Sequence, residues 1–253
     1  MYGEDVCAAA ETAAKKVAYL NKNPLGFFLM SMMAGAFVGT GNLLTNTMGG
    51  QMQGAPATKI LMGAAFAVAL SLVVFAGSEL FTGNNMMMAL GMMKKKVTLA
   101  EALKLWVVCW IGNLAGAVVL SLLFHFSGLN TEATINFLSS GAAAKMAVPF
   151  VPLLIRGMLC NFLVCLAVWC GIRCKTESAK LIMIFWCLFA FVITGYEHSV
   201  ANMTQLTAAL LDPAGQAVSV GGYIYNLATV TLGNVIGGVL FVAVPYFTAA
   251  EKD

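Results

Sequence analysis

The chain has 253 residues, 60% hydrophobic and only 10% charged, with 14 Lys and Arg against 11 Asp and Glu, and its mean hydropathy is +0.85. A soluble domain carries about 25% charged residues, because a small globule must keep a large surface wet; soluble enzymes, nucleic-acid binders and secreted disulfide scaffolds are therefore excluded, and a polytopic membrane protein is expected. The net charge of +3 is too small to argue for a polyanionic partner, so the information lies in where the charges fall.

Residues 1–22 carry Glu4, Asp5 and Glu11 ahead of any long apolar run, which argues against a cleavable signal. Val6, Ala10, Ala13, Val17 and Leu20 recur at helical spacing, predicting an amphipathic helix on a membrane face or against the bundle. Six apolar regions long enough to cross a bilayer follow, near Pro24–Met48, Ile60–Met93, Leu105–Phe126, Val148–Gly171, Leu181–Leu211 and Gly222–Phe247. The predicted organisation is a cytoplasmic helix at 1–22, a six-span domain at 23–248 and a short cytoplasmic tail at 249–253. The second and fifth regions are too long for one span, and each is interrupted by polar residues, Gly77-Ser78-Glu79 and Gly195-Tyr196-Glu197-His198.

Eleven of the 14 basic residues fall on one side: Lys15, Lys16 and Lys22, then Lys94, Lys95, Lys96 and Lys104, then Arg173, Lys175 and Lys180, and finally Lys252. By the positive-inside rule both termini are cytoplasmic. Lys59 and Lys145 lie opposite, and Arg156 lies within the fourth span. Cys109, Cys160, Cys165 and Cys187 sit in apolar runs without metal-ligand spacing, so they read as small buried hydrophobes, and neither a metal nor a cofactor is expected. His125 is too near a span end to share a haem with His198, which argues against a membrane redox enzyme.

The two interrupted regions echo one another. Gly77-Ser78-Glu79 with Asn85-Met86 matches Gly195-Tyr196-Glu197 with Asn202-Met203, and Gly112-Asn113-x-x-Gly116 matches Gly233-Asn234-x-x-Gly237, at offsets of 118 and 121 between the glycines. Three spans per half is odd, so the second copy enters the membrane from the opposite side. An inverted repeat places its site near the midplane, where discontinuous helices meet, and irregular backbone there must be buried in protein or line a cavity. The glycine patterns themselves, with Gly35-x-x-x-Gly39, fit close helix packing.

Ionisable groups in spans are functional candidates. His198 is the sharpest, beside a break and with an unperturbed pKa near neutrality. Glu79 and Glu197, at equivalent breaks, are expected to accept from free backbone N–H groups at a helix start. Lys145, in an outer loop, would concentrate small anions at a mouth.

Leu80-Phe81-Thr82-Gly83-Asn84 and the run from Gly195 to Met203, together with Asn23-Pro24-Leu25-Gly26, Asn161 to Trp169 and Gly233 to Gly238, resemble the formate/nitrite transporter family, from about Asn23 to the end of the sixth span. The resemblance implies an all-α, aquaporin-like protomer with six spans, a homopentamer in the cell membrane, and a channel for formate, nitrite or hydrosulfide. It further implies central pore residues His198, Thr82, Asn161 and Asn234, a vestibule lysine at Lys145, and apolar constrictions at Leu70, Leu80, Phe81, Val164 and Phe191, with Phe66 nearby. It also implies that the N-terminal segment controls access at acidic pH. Arg156 departs from the apolar residue expected at its position. The alternative is a neutral-solute channel of the water/glycerol type, whose paired Asn-Pro-Ala signature is absent.

Overall fold

A computed structural model of the chain describes residues 2–250, and all regular structure among them is helical. Lys252, counted among the cytoplasmic charges, lies outside the described residues. The helices are α1 (Gly3–Lys22), α2 (Pro24–Gln51), α3 (Thr58–Leu72), α4 (Phe81–Met93), α5 (Leu99–Phe126), α6 (Glu132–Met146), α7 (Phe150–Arg173), α8 (Glu177–Thr194), α9 (Ser199–Leu211), α10 (Val220–Gly238) and α11 (Val244–Ala250). A π turn, Val73–Gly77, prolongs α3, and another, Val239–Ala243, joins α10 to α11.

Local chemistry sets the starts. Asn23 caps α2, accepting from the Gly26 amide at 2.9 Å, with Pro24 at the first helical position, where its missing N–H costs nothing. Thr98 and Glu101 form a reciprocal capping box on α5, satisfying two free amides at once. Thr131, Thr176 and Ser219 cap α6, α8 and α10. The last helix continues to Ala250, past the expected start of the tail.

Six stretches are long and apolar enough to cross a membrane: Pro24–Gln51, Thr58–Gly77, Leu99–Phe126, Phe150–Arg173, Glu177–Thr194 and Val220–Ala250. The expected second and fifth spans are each two helices. α4 and α9 have 13 residues, about 20 Å of helix against a hydrocarbon core of about 30 Å, so neither spans alone. Each instead follows its span after a break and packs inside the bundle, where all but two of its residues in α4 and α9 alike are buried. The stretch expected as an outer loop before the fourth span is α6, and Lys145 stands in its last turn.

The glycine pairs bring helices into close contact. A methyl at Gly116 of α5 would collide with the Met32 carbonyl of α2, and one at Gly237 of α10 with the Met158 carbonyl of α7. The duplication extends further than three spans per half. α1 rests on α4 as α6 rests on α9, so the repeating unit is five helices, α1–α5 and α6–α10. α1 buries Val6, Ala9, Ala10, Ala13, Val17 and Leu20, and Ala13 faces Gly91 of α4; the N-terminal helix lies against the bundle as part of its core.

Candidate functional site

The two chain breaks are built alike. α3 with its π turn ends at Gly77 and α8 ends at Gly195, both with φ +79°, a left-handed conformation in which a Cβ costs about 1–2 kcal/mol. Three residues then run without helical structure, Ser78-Glu79-Leu80 and Tyr196-Glu197-His198, before α4 and α9 begin. Buried main-chain groups need partners, and these come from the neighbouring span and one asparagine. The Glu79 amide donates to the Met30 carbonyl and the Glu197 amide to the Arg156 carbonyl, both at 3.2 Å. Asn113 accepts from the Phe81 amide at 2.9 Å and donates to the Ser31 and Glu79 carbonyls at 2.7 and 2.9 Å. Asn234 accepts from the Ser199 amide at 2.9 Å and donates to the Gly157 and Glu197 carbonyls at 2.8 and 3.0 Å.

With the break amides taken, the two glutamates are free for other partners, and the expected backbone role is not what they do. The Glu79 carboxylate accepts from Lys16 Nζ at 2.5 Å and Asn84 Nδ2 at 3.0 Å. The Glu197 carboxylate accepts from Lys145 Nζ at 2.8 Å and Asn202 Nδ2 at 2.7 Å. These are the same triad in the two halves, lysine from the opening helix of the repeat, glutamate from the break and asparagine five residues on. Asn84, not Asn85, is therefore the counterpart of Asn202; the Asn-Met dipeptides matched the repeat one residue out of register. Asn202 also donates to Asn226 Oδ1 at 2.8 Å, and Asn226 donates to the Lys145 carbonyl at 3.0 Å.

His198 is 4% exposed. Its Nδ1 accepts from the Ala201 amide at 3.1 Å, capping α9, and its Nε2 lies 3.0 Å from Thr82 Oγ1 in α4. Because a backbone N–H can only donate, the proton of the neutral ring is assigned to Nε2, which donates to Thr82 and leaves the hydroxyl hydrogen of Thr82 uncommitted. The imidazole stacks on Phe191, with centroids 6.0 Å apart and planes at 16°. Phe191 in turn meets Phe66 edge-on at 5.5 Å.

Three spaces lie around this centre. One of about 570 Å³ on the α1 side includes Lys16, Glu79, Asn84, Leu70 and Leu80 in its lining. One of about 210 Å³ on the α6 side includes Lys145, Glu197, Asn202, Phe66, Phe191 and His198. Between them a space of about 10 Å³ is walled by Leu70, Leu80, Val164, Phe66, Phe191 and His198 among others, no larger than one water needs. Leu70, Leu80, Val164, Phe191 and Phe66 are thus brought together around one narrow apolar space beside His198.

Phe81 does not gather there. It lines a lateral crevice with Leu103, Trp106, Val107, Trp110 and Ile111, because Leu80 is extended and successive residues of extended chain point opposite ways. Asn161 and Asn234, expected to face the pathway, are fully buried and line none of the three spaces. Asn234 clamps the break, and Asn161 Nδ2 donates to the Thr82 and Asn234 carbonyls and to Asn85 Oδ1 at 3.2, 2.6 and 3.0 Å. Arg156 is exposed on α7 and also lies outside these spaces. Sequence reasoning passed over Lys16, assigned to the orientation count, and Asn113, assigned to packing. The Gly-Asn-x-x-Gly repeat held the signal for Asn113; a repeat unit begun at α1 would have exposed Lys16.

A six-span inverted repeat with two charged, polar vestibules separated by an apolar closure defines a membrane transport protein. The chain belongs to the formate/nitrite transporter family: the profile described as "Formate/nitrite transporter" matches residues 4–248. It is 40% identical over 255 residues to the nitrite transporter NirC of Salmonella typhimurium, covering 100% of this chain and 94% of that one. It is 35% identical over 228 residues to the formate channel BtFdhC of Bacillus thuringiensis, covering 89% and 87%. Among solved structures, an FNT family ion channel superimposes with a TM-score of 0.92 at 39% identity, covering 97% and 98%. A pentameric formate channel with formate bound does so with a TM-score of 0.80 at 27% identity, covering 91% and 99%.

Proposed function

We propose that the protein is a homopentameric channel of the cytoplasmic membrane, with both termini in the cytoplasm, that conducts small monovalent weak-acid anions of the formate, nitrite and hydrosulfide class in a pH-dependent way and turns over no substrate. Membership of the family and the similarity to a nitrite transporter and a formate channel support the cargo class; eleven of 14 basic residues on one side support the orientation. The observation that carries the reading is the single imidazole, bonded to Thr82 at 3.0 Å, set at the narrow apolar space between two lysine-bearing vestibules.

A bare anion loses its hydration among Leu70, Leu80, Val164 and Phe191, at a cost of several kcal/mol. Desolvation raises the proton affinity of any such anion, so neutralisation at the centre removes most of the penalty. Lys145 and Lys16 lend positive charge to the two mouths; each is paired with a glutamate, which holds the ammonium at the rim. His198, through Nε2 and the Thr82 hydroxyl, offers the hydrogen-bond donor that meets the anion and shares a proton with it.

Purified protein in liposomes tests this with nitrite, formate and hydrosulfide gradients. His198→Phe is expected to abolish pH-dependent anion conductance with assembly intact, and normal, normally pH-dependent flux of all three anions in that variant sinks the mechanism.

A further inference from the structure

The α6-side vestibule holds polar groups that neither the break clamps nor the His198 centre uses. Asn42, Thr45 and Asn46 of α2 and Gln205 of α9 line it, each at least nine-tenths buried. Such groups in a membrane span are costly unless they face water or a partner. Thr45 spends its hydroxyl proton on the Asn42 carbonyl at 2.9 Å. The hydrogen bonds of the others fix which end of each amide is free. Asn46 Nδ2 donates to the Asn42 carbonyl at 2.8 Å, and a carbonyl accepts only, so the nitrogen of Asn46 is assigned there. The same nitrogen donates to Asn42 Oδ1 at 3.1 Å, which turns Asn42 Nδ2, with both its hydrogens, away from that pair. Gln205 Nε2 donates to the Leu138 carbonyl at 3.3 Å, keeping one hydrogen. Neither remaining N–H set has another partner among the described residues. Lys145 Nζ gives one of its three hydrogens to Glu197, and the other two are available on the same space.

We propose that Asn42, Gln205 and Lys145 form a staging site for an anion with two acceptor oxygens, ahead of the Phe66 and Phe191 closure. The inference deepens the anion-channel reading and rests on it. Amide and ammonium N–H groups that line one small space match a carboxylate or nitrite, whose two oxygens accept separately. Hydrosulfide presents one large, weakly accepting sulfur and gains far less from the same donors. The site therefore ranks the permeant anions, formate and nitrite above hydrosulfide, before the central histidine acts on any of them. Asn42 and Gln205 are specificity-determining residues in this scheme, and Lys145, its charge balanced by Glu197, supplies ammonium N–H donors.

Initial flux into proteoliposomes of the full chain, measured against concentration for nitrite, formate and hydrosulfide, tests the site. Asn42→Leu is expected to raise the half-saturating concentration of nitrite and formate about tenfold, the loss of one hydrogen bond to a charged group, with less than about a twofold change for hydrosulfide and little change in maximal flux. Gln205→Met provides the same comparison through a second helix, so the proposal stays testable if one variant does not assemble. Unchanged half-saturation for nitrite and formate, or an equal rise for all three anions, overturns it. Absence of flux of all three in the wild type would instead defeat the channel reading itself, and that shows before any variant is made.

Discussion

Asn234→Ala separates a pore-lining role from a structural one. The side chain makes three hydrogen bonds at 2.8–3.0 Å, all to main-chain groups at or beside the fifth-span break, and it is fully buried. Interhelical hydrogen bonds inside membranes contribute about 0.6–1.7 kcal/mol each, so removing three costs roughly 2–5 kcal/mol, and the alanine leaves the Ser199 N–H and the Glu197 carbonyl without their side-chain partner in a buried site. Unfolding in mixed detergent micelles, followed by helical circular dichroism, reads this directly. Asn113→Ala, which breaks the equivalent three bonds in the first half, is expected to lose a similar amount. In the variant protein that still assembles, the preference among nitrite, formate and hydrosulfide should match wild type, since neither asparagine lines any of the three central spaces. A loss below about 0.5 kcal/mol, or a change in anion preference with full stability, refutes the clamp assignment.

Gly116→Leu and Gly237→Leu are each expected to prevent assembly, because any Cβ there meets a main-chain carbonyl of the facing helix, whereas Gly221→Ala, with open space around it, should express and assemble like wild type; size-exclusion chromatography distinguishes them. Gly77→Ala has equal room but must hold φ +79°, so a stability loss of about 1–2 kcal/mol is expected, and none would show that the turn relaxes. The Glu11 carboxyl is held below its ordinary value of 4.5 by its hydrogen bond and charge pairing with Lys96, whose ammonium is in turn held above 10.5. The carboxylate contribution to docking α1 is thus present above about pH 4.5 and fades only as pH falls through the lowered value, while the ammonium contribution fades only above pH 10.5. Glu11→Gln should accordingly leave the pH profile of flux unchanged between about pH 5 and 9; a displaced midpoint would mean this pair senses pH.

The membrane class, the six spans and the inverted repeat were legible because hydrophobic length, lysine placement and paired glycine motifs are local signals that survive without coordinates. The site was legible in part. Gly77 and Gly195 marked the breaks through their backbone freedom, and His198 stood out as the ionisable group beside one of them. Pairing across the bundle is another matter: nothing along the chain shows that Lys16 reaches Glu79 63 residues away, or that Asn113 and Asn234 take the break amides and so release the glutamates. Leu80 and Phe81 are adjacent and both apolar, and only the extended turn between them sends one to the centre and the other outward.

The Lys-Glu-Asn triad at each mouth bears on what the duplication has kept. Because the halves are inverted, each of the two mouths carries the same three groups. The halves differ around them: Leu80 stands against His198, Thr82 against Val200 and Gly35 against Asn161, and Asn42 and Gln205 of the α6-side vestibule stand against Val168 and Met87 of the α1-side one. The two mouths are thus alike in their ionic triads and unlike in volume, about 570 against 210 Å³, and in their neutral lining. The duplication thus keeps the charged groups of the two ends fixed while the neutral side chains around them have diverged.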